Sequence, residues 1–277
     1  MTEAGEPGRG NREQGTERRN PIREVRSFAD LESLSEAAAA EIVAIAQASV
    51  AARGRFTIAL AGGSTPRRTY ELLAERYRDA IDWRHTEIVF GDERYVPPAD
   101  ERSNYRMARD AMLAYVPVAD ERVHIVPTDA ASADRAADEY EQTLRRVLSQ
   151  HSTESDPVAP VAEATPTVDL ALLGMGADGH TASLFPDSPV LGERTRWVCA
   201  VGPPTAVQPA VPRVTTTLPF LDGARAVIFL VAGADKRRAL GEILSGAHPR
   251  RRYPAALVAP RGRVLWMVQQ SALPTDT

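Results

Sequence analysis

Four short apolar runs in this chain end the same way, in glycine followed by polar groups. "FTIALA" runs into "GGSTP" at 62–66, "EIVF" into "GDER" at 91–94, "VDLALL" into "GMGADGH" at 174–180, and "FLVA" into "GADK" at 233–236. Short apolar runs separated by stretches of helical period predict strands joined by crossover helices, hence an α/β fold with a mostly parallel sheet flanked by helices. Open parallel sheets bind ligands outside the carboxyl ends of their strands. The four polar segments are therefore expected to converge on one pocket.

A helix is expected to start near Asp30 and end at Gly54, with Leu31, Leu34, Ile42 and Ile45 as its apolar stripe. Further helices are expected from Pro66, near Ser103 and near Ser132, the last preceded by a strand at "VHIVP". Residues 1–21 are rich in Gly, Glu and Arg and too poor in apolar groups to repay the entropy of ordering, which predicts a disordered tail. Residues 22–270 are expected to form a single α/β domain with a surface loop near 150–166, and 271–277 a C-terminal tail. At 277 residues, 43% of them hydrophobic, the chain can bury such a core. Its net charge of -4 offers no bulk attraction to nucleic acid or anionic membranes, and neither is expected as a partner. No apolar run approaches the roughly 20 residues of a bilayer span. The single cysteine, Cys199 in "WVCAV", cannot form an internal disulfide and reads as a small buried hydrophobe; a reducing cytoplasm is the expected compartment.

Gly174, Gly176 and Gly179 spell G-x-G-x-x-G directly after an apolar run. A dinucleotide loop needs a long helix after the third glycine, but Pro186 and Pro189 leave no room for one. No acidic residue ends the next apolar run, "RWVCAV". The glycines are instead expected to free the backbone around His180, with Asp178 orienting the imidazole for general-base work. In "GGSTP", Ser64, Thr65 and Pro66 suit an ordinary helix cap, yet Gly62 and Gly63 let the backbone approach a ligand, and a helix start favours an anion such as phosphate. The Gly-Lys-Ser/Thr ending of a nucleotide loop is absent. Asp92, Glu93 and Arg94 are surface charge by default; alternatively Arg94 clamps an anion or polarises a carbonyl, and the acids position hydroxyls. Arg213 opens a strand after a proline-rich turn. Of 33 basic side chains all but Lys236 are arginine, and a compact ammonium is not interchangeable with a planar guanidinium. His85, His124, His151 and His248 sit in strand-edge, loop or solvated contexts without metal-ligand spacing, so no metal is expected.

Taken in order, "GGSTP", "GDER", "GMGADGHTASLFP", "PRVTTTLP" and "GADK" resemble the 6-phosphogluconolactonases of the glucosamine-6-phosphate isomerase/6-phosphogluconolactonase family, over most of residues 22–270. The resemblance implies a Rossmann-like, sugar-phosphate isomerase/deaminase-like fold and hydrolysis of 6-phosphoglucono-1,5-lactone in the oxidative pentose phosphate pathway. It implies no cofactor; the chain itself is expected to be a monomer, with transient contact with glucose-6-phosphate dehydrogenase left open. Carried over to matching positions, the phosphate site is Gly63, Ser64, Thr65, Arg213 and Lys236, and the general base is His180 beside Asp178. Arg94 would face the substrate, with Asp92 and Gly62 against the sugar. The related glucosamine-6-phosphate deaminases carry Asp-Glu-Tyr at 92–94 and Asn-Glu-Pro where this chain has Leu184, Phe185 and Pro186. Phe185 cannot do a carboxylate's work, which favours the lactonase. Thr216 departs from the apolar residue more usual there.

Overall fold

The computed structural model describes residues 22–149, 167–246, 252–260 and 262–274. The expected N-terminal tail, the 150–166 loop, residues 275–277, His151 and His248 lie outside the described residues. Among those described, six strands form one parallel sheet. Its order is β1 (Ile22–Phe28), β9 (Arg263–Gln269), β8 (Ala226–Val231), β5 (Leu170–Gly174), β2 (Phe56–Leu60) and β3 (Thr86–Phe90). A smaller antiparallel sheet places β7 (Arg213–Thr216) between β4 (Asp92–Arg94) and β6 (Val198–Val201).

Both faces of the large sheet are covered, which is why its strands read as unbroken apolar runs. Ile58, Leu60, Ile88, Phe90, Leu170 and Leu172 pack in one layer with α1 (Leu31–Arg53) and α2 (Ser64–Arg76). Ala59, Val89, Ala171, Leu173, Phe229 and Trp266 pack in the other with α4 (Ala133–Ser149) and α5 (Arg237–Ser245). There the register-paired Phe229 and Trp266 stack with ring centroids 3.9 Å apart.

Asp30 starts α1 by accepting the Ser33 backbone N–H at 2.8 Å, and Gly54, at φ 73°, ends it in the left-handed conformation that favours glycine. Leu34 and Ile42 are buried as expected, whereas Leu31 and Ile45 are only half-buried; Ala38, Ala39 and Ala46 complete the stripe and let the helix lie close to the sheet. α1 corrects one expectation. With a mean hydropathy of 1.3 over 18 residues it is long and apolar enough to cross a bilayer by length and composition, and here that apolar face is spent on the core.

Three further departures have local causes. "VHIVP" forms no strand beyond a single bridge from Val123 to Ile88, because only Val126 of its last residues reaches the core and Pro127 has no donor for a ladder. The helix near Ser103 is one short turn, α3 (Asn104–Ala108), that widens into a π-helical turn at Arg109–Leu113. The apolar pattern gives no sign of β1, whose charged residues suit an edge strand paired only with β9.

Candidate active site

The chain leaves β2 towards β3 on one side and β5 towards β8 on the other, so the winding reverses between β2 and β5 and a crevice opens at their carboxyl ends. A cavity of about 240 Å³ occupies it. That is below the ~300 Å³ at the low end of drug-sized pockets and suits a small ligand rather than a dinucleotide. All four glycine-ended segments reach its wall: Gly62 to Pro66 after β2, Gly91, Asp92 and Arg94 after β3, Gly174 to Gly176 and His180 after β5, and Lys236 after β8. Arg213 joins them from β7. Of the residues singled out in the sequence, Asp178 lies off this wall, directly behind His180, and Glu93 lies off it as well.

The imidazole loop is closed by two backbone bonds, from Gly176 N–H to the His180 carbonyl at 2.9 Å and from Gly179 N–H to the Gly176 carbonyl at 3.0 Å. Gly179 needs its freedom because its φ is 77°. Gly176 is required for space, since a Cβ there would fall on Nδ1 and Cε1 of His180. His180 Nδ1 lies 2.6 Å from Asp178 Oδ1, which also accepts the His180 backbone N–H at 3.1 Å. A carboxylate only accepts, so the neutral ring carries its proton on Nδ1 and keeps Nε2 as a base. Phe185 packs on the ring at 5.0 Å between centroids and limits its rotation. Partial burial pushes the Asp178 carboxyl up, but the hydrogen bond and charge of His180 outweigh it and leave its pKa below the ordinary value. After His180 the chain makes a tight turn bridged from Thr181 to Leu184, and the first helical segment beyond Gly179 is a four-residue 3-10 turn at Pro189–Gly192. The glycines have the spacing of a dinucleotide loop, but the long helix that such a loop needs after its third glycine is missing.

Gly63, at φ 97°, turns the chain into α2, whose start receives no side-chain cap. Its first N–H groups therefore remain available to an anion. Arg213 is 3% exposed and donates to the carbonyls of Pro209 at 2.8 Å and Val211 at 3.3 Å, with burial lowering its pKa. Arg94 donates to the Arg102 carbonyl at 2.6 Å, and its Nε is buried without a partner. Among the described residues neither arginine is ion-paired, whereas Lys236 rests on Asp235 at 2.6 Å. Two cations on one wall without carboxylate partners make the cavity receptive to negative charge.

Other polar residues hold this wall in place. Tyr70 and Tyr140, both fully buried, each bond the N–H and the carbonyl of one residue, Ala61 at 3.0 and 2.9 Å and Phe90 at 2.6 and 3.0 Å. They pin the ends of β2 and β3, and burial pushes both phenols well above their ordinary range. A tyrosine on an amphipathic helix reads as core, so sequence pattern gives no sign of these bonds. Glu93 is not surface charge: it accepts from the backbone of Asn104 at 2.7 Å and Tyr105 at 2.8 Å and from Ser103 Oγ at 3.0 Å, fastening the start of α3. Burial pushes its pKa up against those bonds. Both carboxylate oxygens of Asp92 are also engaged, Oδ2 by Ser183 Oγ at 2.6 Å and Oδ1 by Asn104 Nδ2 at 3.2 Å. Thr216, buried in β7, donates to the Gly91 carbonyl at 2.7 Å. Cys199 is half-buried rather than sealed in the core. His85 is exposed beside Asp82, and His124 is tied to Glu87 at 2.8 Å.

The model of the glucosamine-6-phosphate isomerases/6-phosphogluconolactonase family matches residues 29–266. A 6-phosphogluconolactonase of Synechocystis sp. is 41% identical over 223 residues, covering 80% of this chain and 85% of that one. The structure of a 6-phosphogluconolactonase from Leishmania guyanensis superposes with a TM-score of 0.78 at 32% identity, over 91% of this chain and 97% of that one. A monomeric glucosamine-6-phosphate deaminase, at 18% identity and a TM-score of 0.72 over 90% of this chain and 98% of that one, shares the fold. With the matched region running from just before α1 to the middle of β9, the chain belongs to the glucosamine-6-phosphate isomerase/6-phosphogluconolactonase family.

Proposed function

We propose that the protein is a hydrolase that opens 6-phosphoglucono-1,5-lactone to 6-phosphogluconate. The observation that carries this reading is that one small cavity receives both an uncapped helix start, with Arg213 and Lys236, and an imidazole backed by a carboxylate. The phosphate sits on the N–H groups of Gly63, Ser64 and Thr65 and is neutralised by Arg213 and Lys236, which anchors the lactone and brings its ester carbonyl to His180. Neutral His180 takes a proton from water at Nε2 as the oxygen attacks the carbonyl, and Asp178 stabilises the imidazolium that forms. Arg94 stabilises the developing oxyanion. Collapse breaks the bond to the ring oxygen, which takes the proton back from the imidazolium, leaving a free hydroxyl and a carboxylic acid that gives its remaining proton to solvent to become the carboxylate. The lactone is an activated ester, so this chemistry calls for neither a covalent nucleophile nor a Lewis acid.

The test is acid release from freshly made lactone, corrected for spontaneous opening, with wild type and two variants. His180→Ala is expected to lower turnover by roughly 10²- to 10⁴-fold. Lys236→Ala is expected mainly to raise KM. Ammonia release from glucosamine 6-phosphate, or unchanged kcat in His180→Ala, refutes the reading.

A further inference from the structure

Asp92 lines the cavity but is 6% exposed, and both its oxygens are already bonded. Its partners belong to the two halves of the site. Ser183, fully buried three residues beyond His180, donates its hydroxyl to Asp92 and its backbone N–H to Thr215 Oγ1 at 3.1 Å. Asp92 and Thr215 are register partners on β4 and β7, so the second sheet grips the imidazole loop with two adjacent residues. On the other side Asn104, 2% exposed, gives Nδ2 to the Asp92 carbonyl at 2.9 Å as well as to its carboxylate. The Asn104 amide also occupies the space beside Gly62 that a Cβ would need, so it is packed directly against the loop that begins the anion cradle. A continuous buried chain thus runs from Gly62 through Asn104 and Asp92 to Ser183.

We propose that Asn104, Asp92 and Ser183 form a positioning relay that fixes the spacing between the anion cradle and the His180 loop, with Asp92 a tether and not a ligand for the sugar. The proposal rests on the lactonase reading for its consequence in catalysis, while its geometric content is independent of turnover. An ion held only by the cradle does not feel the spacing. A ligand that spans cradle and imidazole does, and an error of about an ångström at a reacting centre costs on the order of 10²-fold in rate.

The experiment titrates inorganic phosphate and 6-phosphogluconate by calorimetry, alongside lactone hydrolysis, for wild type, Ser183→Ala, Asp92→Asn and the double variant. Ser183→Ala is expected to keep phosphate affinity within about twofold, to lose about tenfold in 6-phosphogluconate affinity, and to lose more than that in kcat. Adding Asp92→Asn to Ser183→Ala is expected to cost less than about threefold further, because residues acting through one link are not additive. Equal loss of affinity for both probes overturns the relay, because the damage is then general. So does a wild-type response in Ser183→Ala, or an Asp92→Asn effect of the same size with and without the Ser183 hydroxyl. A wild type that binds both probes and hydrolyses no lactone defeats the functional reading alone, and the comparison of probes still decides the relay.

Discussion

Alanine at position 176 asks whether the place of the imidazole, and not only its presence, sets the rate. The added Cβ would overlap Nδ1 and Cε1 of His180 and stand 2.7 Å from Asp178 Oδ1, where real Cβ atoms essentially never come within 3.0 Å of a neighbour. All three atoms belong to the hydrogen-bonded pair, so the pair cannot yield by bending a flexible side-chain end; the ring or the loop must shift by about an ångström. The expected cost is about 1–3 kcal/mol of stability for the forced repacking. In kcat it is on the order of 10²-fold. The cradle follows β2 and not β5, so affinity for inorganic phosphate should stay near wild type. Steady-state lactone hydrolysis, corrected for spontaneous opening, gives kcat and KM; calorimetry gives phosphate affinity. Gly192→Ala serves as the control, since nothing lies within 4 Å of the position its methyl group would take. A Gly176→Ala protein whose kcat stays within about threefold of wild type would show that the imidazole tolerates displacement, and the assignment of His180 as a positioned base would fall with it.

Asp178→Asn preserves shape but offers Nδ1 an amide donor, favouring the tautomer with its proton on Nε2; kcat should drop by about 10²- to 10⁴-fold with KM little changed, as measured by the same assay. Tyr140→Phe removes a hydroxyl bonded to both backbone groups of Phe90 and leaves a buried N–H unpaired, so urea unfolding should register a loss of about 1–3 kcal/mol. The Glu193 carboxyl is held at about 2, against an ordinary 4.5, mainly by the backbone N–H groups of Thr195 and Arg196. A lowered folded pKa contributes stability above the unfolded value that is lost as pH falls through the folded one. Glu193→Gln should therefore melt lower than wild type near neutrality, with the gap narrowing between pH 4.5 and about 2; a gap that widens on acidification contradicts the capping role.

Much of this architecture is legible in the sequence because two signals coincide. The runs 56–61, 87–90 and 168–173 are apolar at nearly every position, as strands covered on both faces must be, and each ends in glycine where the chain has to turn into a loop. The polar segments after those glycines consequently line the crevice, and their residue types are what suggest an anion cradle and place an imidazole beside it. The remainder depends on distance in space, which residue spacing does not encode. Glu93 and Asp92 read as neighbouring surface acids, yet one fastens the start of α3 and the other joins two loops, because α3 folds back over β4 eleven and twelve residues later. Tyr70 and Tyr140 carry the helical period of core residues, and nothing in that period tells that a hydroxyl reaches a strand end. β1 escapes notice because an edge strand with charged residues looks like a linker. "VHIVP" misleads for the opposite reason, since an apolar run forms a strand only where a neighbour offers a ladder.

The commitments of the acids around the cavity bear on which of the family's chemistries it can perform. Asp92 is bonded at both oxygens, Glu93 is spent on the start of α3, Asp178 stands behind the imidazole, and Asp235 is paired with Lys236. Among the described residues the Nε2 of His180 is thus a basic nitrogen on the cavity wall with its lone pair uncommitted, which supports its proposed role as general base. Hydrolysis of a lactone needs one such group, which removes a proton from water and returns it to the ring oxygen. Expelling an amine while moving hydrogen between carbons needs a second group that gains and loses protons independently of the first. At the position where a carboxylate would supply it stands Phe185, packed on the imidazole ring itself. The side chain that stands where the related deaminases carry a glutamate also restrains the ring proposed as the base, so exchanging Phe185 for a carboxylate would loosen the imidazole before it added any new chemistry.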